Sequence, residues 1–179
     1  MPNYKRYYLE NCYVFITVLT HHRKSILIKN IDLLRECFKK TLKTFNFEIL
    51  ASVILPNHFH IIIKPENIKE FPKIIGLIKK YFSYAINEKY NDKNISASKI
   101  KRKEKGIWQR RFYDHVIRDE KDLHTHLDYI HYNPVKHEYS ESVKNWEYSS
   151  FHKFVKLKNY DINWGQIEDV QHIKDLEYE

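Results

Sequence analysis

Two histidines one residue apart, His58 and His60, stand in the run Leu55-Pro-Asn-His-Phe-His-Ile-Ile-Ile63. In a β-strand successive side chains point to opposite faces, so both imidazoles share one face while Phe59, Ile61 and Ile63 share the other. A pair of imidazoles at this spacing can hold one divalent ion and leave positions open for water or a phosphate oxygen. A second group lies on a helical stretch, residues 119–134 (DEKDLHTHLDYIHYNP). At about 100° per residue, Leu123, Leu127 and Ile130 form a narrow apolar sector. Asp122, His126, Tyr129 and Asn133 fall together roughly 90–130° away by the same arithmetic. Tyr132 points nearly opposite the apolar sector, and His131 lies on the far flank. A free phenol, with a pKa of about 10, is a poor nucleophile. Tyr129 therefore needs a polarised electrophile and a neighbour to take its proton. Asn133 can offer an oxygen to the ion held by the histidine pair. His126 can be a ligand, a proton acceptor or a plain helix-surface residue.

The elements that must position these groups can be read from patterning. Residues 12–19 (CYVFITVL) are β-branched, aromatic or apolar throughout and read as a strand. Asn30 can cap a helix in which Leu34, Cys37, Phe38, Thr41, Leu42 and Phe45 recur at helical spacing. Residues 47–55 and 58–64 read as strands joined by a Pro56-Asn57 turn. A second helix begins near Phe71, with Pro72 in its first turn and Ile74, Ile75, Ile78, Phe82, Ala85 and Ile86 on its buried stripe. Residues 87–105 dissolve into Asn, Lys, Ser and Asp, a mobile loop with a basic end. Residues 107–117 read as a fourth strand. Asp119 caps a third helix that Pro134 stops. A short helix over 149–157 leads into an ill-defined tail.

This order, β-α-β-β-α-β with additional C-terminal helices, predicts an α+β, ferredoxin-like sandwich with an antiparallel sheet. Two helices cover one sheet face and the other stays open for a site. The 179 residues suit one domain, with its core over about 4–164. Lys and Arg exceed Asp and Glu by 31 to 23, a net charge of +8, which favours an anionic partner. Three glycines leave no Gly-rich phosphate loop. No apolar run is long enough for a bilayer, and the first residues lack a signal-peptide core. Cys12 and Cys37 are too few for a disulfide scaffold and read as reduced core residues of a cytoplasmic protein.

Taken together, His58-Phe-His60 after a Leu-Pro-Asn turn resembles the His-hydrophobic-His (HUH) motif of single-tyrosine transposases. The stretches Ile107-Trp-Gln-Arg-Arg-Phe112, Ile117-Arg-Asp119, Asp128-Tyr-Ile-His-Tyr-Asn-Pro-Val-Lys-His137 and Trp146-Glu-Tyr-Ser-Ser-Phe-His152 resemble one branch, the REP-associated tyrosine transposases. The likeness runs in order over residues 4–164. It implies a ferredoxin-like core, Mg²⁺ or Mn²⁺ bound by His58, His60 and Asn133, and Tyr129 as nucleophile. It further implies cleavage and rejoining of single-stranded DNA at hairpin-forming repeats through a 5′-phosphotyrosine and a free 3′-OH, by a monomer or a homodimer. Tyr132 is a rival phenol.

Basic groups can follow a phosphate backbone while aromatics stack on bases. Arg110, Arg111 and Trp108 are the expected DNA contacts, with Lys101, Arg102, Lys103 and Arg6 beside them. A non-catalytic hairpin-binding module is the competing expectation. A histidine-triad hydrolase is disfavoured, because the third alternating position, 62, is isoleucine.

Overall fold

Strand β1, Val14–Leu19, is wholly buried, and its two faces feed two different cores. The computed structural model describes residues 9–87, 90, 101 and 104–178. β1 lies between β3 (His58–Pro65) and β4 (Tyr113–Val116), and β2 (Phe47–Ile54) lies outside β3. All neighbours are antiparallel, in the order β2-β3-β1-β4. With α1 (Ile31–Leu42) after β1 and α2 (Phe71–Ala85) after β3, this is the ferredoxin-like α+β arrangement expected from the sequence.

The first core joins Val14, Ile16 and Val18 of β1 and Phe59, Ile61 and Ile63 of β3 to Leu34 of α1 and Ile74, Ile78 and Phe82 of α2. Each of these large side chains contributes roughly 1.5–3 kcal/mol by leaving water. A β-bulge between Ile49 and Ala51 shifts the β2–β3 register, so that Phe47 and Ile49 face this core while Ala51 and Val53 face the other. On α1, Leu42 is exposed instead of buried, as is Ala85 at the end of α2. Asn30 does not cap α1; its side-chain amide donates to the Ile26 carbonyl at 2.7 Å.

The second sheet face is not open. Phe15, Ala51, Val53, Leu55 and Ile62 pack against Leu127, Tyr129 and Ile130 of α3 (Glu120–Lys136) and Phe154 of α4 (Phe151–Lys156). The reason lies in β1 and β3, whose apolar residues occupy both faces, so a second layer is needed to keep Phe15 and Ile62 from water. Asp119 caps α3 as expected, accepting the Asp122 N–H at 2.8 Å. Pro134 does not stop α3, which runs on to Lys136. In the last turn a proline forfeits a single helical hydrogen bond, and the His137 N–H still reaches the Asn133 carbonyl at 3.1 Å. His131 is buried under the C-terminal segment, with Nε2 3.0 Å from Ser150 Oγ, and burial pushes its pKa down to about 3.

The fourth strand is shorter than its sequence pattern. Pairing with the end of β1 begins at Ile107 and Gln109, breaks, and resumes at Tyr113. The carbonyls of Gln109 and Arg110 that leave the ladder accept from Lys79 Nζ at 2.7 and 3.2 Å, and burial pushes the Lys79 ammonium down to about 8. Trp108 is drawn inward at this break. Its ring packs 5.2 Å from Phe82 and 6.0 Å from Phe59, and its Nε1–H donates to the Lys79 carbonyl at 3.1 Å. It is a core residue and presents no face for base stacking. Arg110, Arg111 and Lys101 are exposed. Arg102, Lys103, Arg6 and nearly all of the basic loop lie outside the described residues.

The tail is built as well. A short helix α5 (Ile167–Val170) anchors it through buried Val170 and Ile173, and it returns to α3. Cys37 is buried but Cys12 sits at the partly exposed edge. None of the described helices is long and apolar enough to cross a membrane. With Trp108 in the core, Trp108→Ala should cost about 3–5 kcal/mol in urea unfolding. A change below about 1 kcal/mol would instead mark a surface residue.

Candidate metal and tyrosine site

His58, His60, Tyr129, Asn133 and His126 all lie on the second face, between sheet and α3, none more than 2% exposed. The turn before β3 fixes the first of them. Leu55 N–H donates to the His58 carbonyl at 2.9 Å, while Thr20 N–H and Oγ1–H both donate to the Asn57 carbonyl at 2.9 Å. His58 Nδ1–H donates to Asn57 Oδ1 at 2.6 Å. That tautomer leaves Nε2 as a lone pair, and Nε2 faces Asn133 Oδ1 at 3.3 Å. Two acceptors converging in a buried site form an arrangement that a cation, or a second proton on His58, would satisfy.

His60 follows the same logic. Its cross-strand partner on β1 is Thr17, and His60 Nδ1 lies 2.8 Å from Thr17 Oγ1. The tautomer donating to that hydroxyl presents Nε2 for ligation. The two imidazoles stand 4.9 Å apart at 82°. Asn133 Nδ2 is buried and has no hydrogen-bond partner. The donor set fits a divalent ion, which His58, His60 and Asn133 would hold between them.

Tyr129 reaches this group from one turn earlier on α3. Its ring centroid is 5.3 Å from that of His60, in the same chain. It lines a cleft of about 240 Å³ with Arg23, Lys136, His137 and Glu177. Lys136 Nζ lies 5.0 Å over the Tyr129 ring, and the His137 ring is 5.1 Å from that of His58. Arg23 and the preceding His22 both adopt left-handed backbone conformations (φ 49° and 54°), a costly geometry that recurs at functional sites. Tyr132 lies elsewhere, beside Gly165 and Val143 of the C-terminal segment. Tyr178 covers the nucleophile candidate, its ring 4.8 Å from that of Tyr129 and its N–H directed at the phenol oxygen at 3.4 Å. Lys136 Nζ donates to the Leu176 carbonyl.

His126 is not a helix-surface residue. Its ring stacks between His115 (4.7 Å) and Tyr178 (4.9 Å), and its Nδ1 lies 2.8 Å from the Asp122 carbonyl. Burial lowers its pKa, partly offset by the hydrogen bond to Asp122. Sequence reasoning missed Thr17, Arg23, Lys136, His137 and Tyr178. Thr17 could have been found from strand register, because it is the residue opposite His60. Nothing in local pattern marks Tyr178.

The molecule is thus a four-stranded ferredoxin-like domain with a His-x-His pair facing a tyrosine helix, the architecture of a single-tyrosine transposase. The chain belongs to the IS200-like transposase family, whose model matches residues 8–133. It is 37% identical to the REP-associated tyrosine transposase of Escherichia coli K12, over 94% of each chain. It is also 42% identical to a Haemophilus influenzae protein that bears that name provisionally, over 96% of this chain and 97% of the other. A solved structure of a REP-associated tyrosine transposase bound to a REP hairpin superimposes with a TM-score of 0.81 at 34% identity, covering 99% of this chain and 96% of that one. Together these mark a DNA transposase of the REP-associated tyrosine type.

If Thr17 holds the His60 tautomer, Thr17→Val should weaken Mn²⁺ binding about 10–100-fold in titration calorimetry. Unchanged affinity would remove Thr17 from that role.

Proposed function

We propose that this chain nicks and rejoins single-stranded DNA at hairpin-forming repeats through a 5′-phosphotyrosine on Tyr129, with Mg²⁺ or Mn²⁺ held by His58, His60 and Asn133. The observation that carries this reading is the placement of the Tyr129 ring 5.3 Å from His60, within one chain and beside a cleft lined by Arg23, Lys136, His137 and Glu177. The bound ion would polarise the scissile phosphate and stabilise the departing oxygen. Tyr129 Oη forms a bond to phosphorus as the bond from phosphorus to the 3′-oxygen breaks. The phenol gives its proton to a neighbouring water that enters with the strand, and the departing 3′-oxygen takes a proton from water to leave as a hydroxyl. Arg23 and Lys136 supply positive charge to the phosphate oxygens and to the developing phenolate. The phosphotyrosine conserves the bond energy, so a 3′-OH can reverse the step without ATP.

A relative solved with a REP hairpin supports hairpin DNA as the substrate. Exposed Arg110, Arg111 and Lys101 are the groups to meet its backbone. Because Tyr129 serves its own chain's histidines, a monomer carries the whole site. Action on DNA supports a cytoplasmic location. Tyr129 is 1% exposed, so a strand must displace part of its cover, Tyr178 included, to reach it.

Incubation with a labelled hairpin oligonucleotide and Mn²⁺ should give a covalent adduct through the 5′-phosphate of the fragment released 3′ of the cut, absent in Tyr129→Phe and retained in Tyr132→Phe. An adduct that survives Tyr129→Phe would overturn the assignment. Salt-sensitive binding without any adduct, unchanged by His58→Ala, would instead establish a non-catalytic hairpin binder.

A further inference from the structure

A second set of ligand-type side chains meets where β4 faces the first two turns of α3. His115 stands on β4, while Asp122 and His126 are spaced i, i+4 on α3 and so share one helix face. One potential ligand atom from each lies within 4.8 Å of the other two. His115 Nε2 is 2.8 Å from Asp122 Oδ2, and His126 Nδ1 is 3.1 Å from Asp122 Oδ1. The two imidazole rings are nearly parallel, 13° apart in plane. Exposure rises from 2% at His126 through 9% at Asp122 to 24% at His115, so an ion can enter from the His115 side.

We infer that His115, Asp122 and His126 form a binding site for Zn²⁺ or a transition ion of similar softness. Two imidazole nitrogens and one carboxylate oxygen are a donor set that zinc takes in tetrahedral geometry, with water in the fourth position. Mg²⁺, which prefers oxygen ligands and octahedral geometry, is a poor match. The His115 N–H now turned to the carboxylate, and the His126 Nδ1–H now held by the Asp122 backbone carbonyl at 2.8 Å, give way to the ion. Its competitor in this structure is Arg118, whose backbone N–H and Nε contact Asp122 Oδ2 at 3.0 and 3.3 Å. The Arg118 side chain is 71% exposed and can withdraw into water. An ion here ties β4 to the N-terminal half of the helix that carries Tyr129, fixing that helix against the sheet from outside the His58–His60–Asn133 group.

The test uses untagged protein and Zn²⁺ alone. In a His58→Ala/His60→Ala background, equilibrium dialysis should show about one Zn²⁺ retained per chain, and Zn²⁺ should raise the thermal midpoint. Adding His115→Ala or Asp122→Asn should weaken that binding at least about 10-fold, and Arg118→Ala should tighten it. Should the background variant fail to fold, Asp122→Asn alone in the otherwise unchanged chain should lower the zinc content by about one equivalent. Zinc binding that is absent, or indifferent to His115 and Asp122, overturns the proposal. Because the background lacks His58 and His60, failure here leaves the strand-transfer reading untouched.

Discussion

Everything about the site follows from burying a sheet on both faces. Residues His58 to Ile63 of β3 are all buried, although two of them are imidazoles. A polar group left unsatisfied in such a place costs about 1–3 kcal/mol, so each must find a partner inside. Asn57 and Thr17 take the Nδ1 atoms, and these choices turn the Nε2 atoms toward α3. Asn133 arrives from α3 with an oxygen where His58 already presents a lone pair. Satisfying the buried imidazoles and presenting donor atoms that a cation could use are here the same problem.

The scaffold holds this geometry from several directions. Antiparallel register sets Thr17 opposite His60. The Pro56-Asn57 turn is tied to β1 by Thr20 and to residue 27 by the Pro56 carbonyl, so His58 is held by hydrogen bonds on both sides of its own turn. On α3, Asn133 and Tyr129 lie one turn apart on the sheet-facing side, and Phe15 packs against both His60 and Tyr129. The C-terminal segment completes the layer, with Tyr178 against Phe15, His126 and Tyr129.

Much of this was legible from the chain. Period-two alternation separates His58 and His60 from Phe59, Ile61 and Ile63, and helical projection sets Tyr129 with Asn133. The strand and helix order follows from β-branched runs and apolar stripes. Other features depend on long-range contacts that periodicity does not encode. The polar helix face bearing His126, Tyr129 and Asn133 reads as facing an open site, and its burial shows only once the sheet opposite is known to need covering by it. Trp108, within an Arg-rich stretch, reads as a base-stacking residue, yet the break in the β4 ladder turns it into the core. Pro134 reads as a stop, but its position in a final turn makes it tolerable. Asp122 and His126 were visible as helix neighbours, whereas His115 joins them only through strand pairing.

On the proposed reading, one chain gathers two strand imidazoles and a helix amide around a divalent ion within reach of its own tyrosine. Anomalous diffraction from crystals soaked in Mn²⁺ tests it most directly. The expected result is a peak bonded to His58 Nε2, His60 Nε2 and Asn133 Oδ1, with the Tyr129 hydroxyl of the same chain beside it. Manganese found only elsewhere, or a peak whose nearest tyrosine comes from another chain, would contradict it.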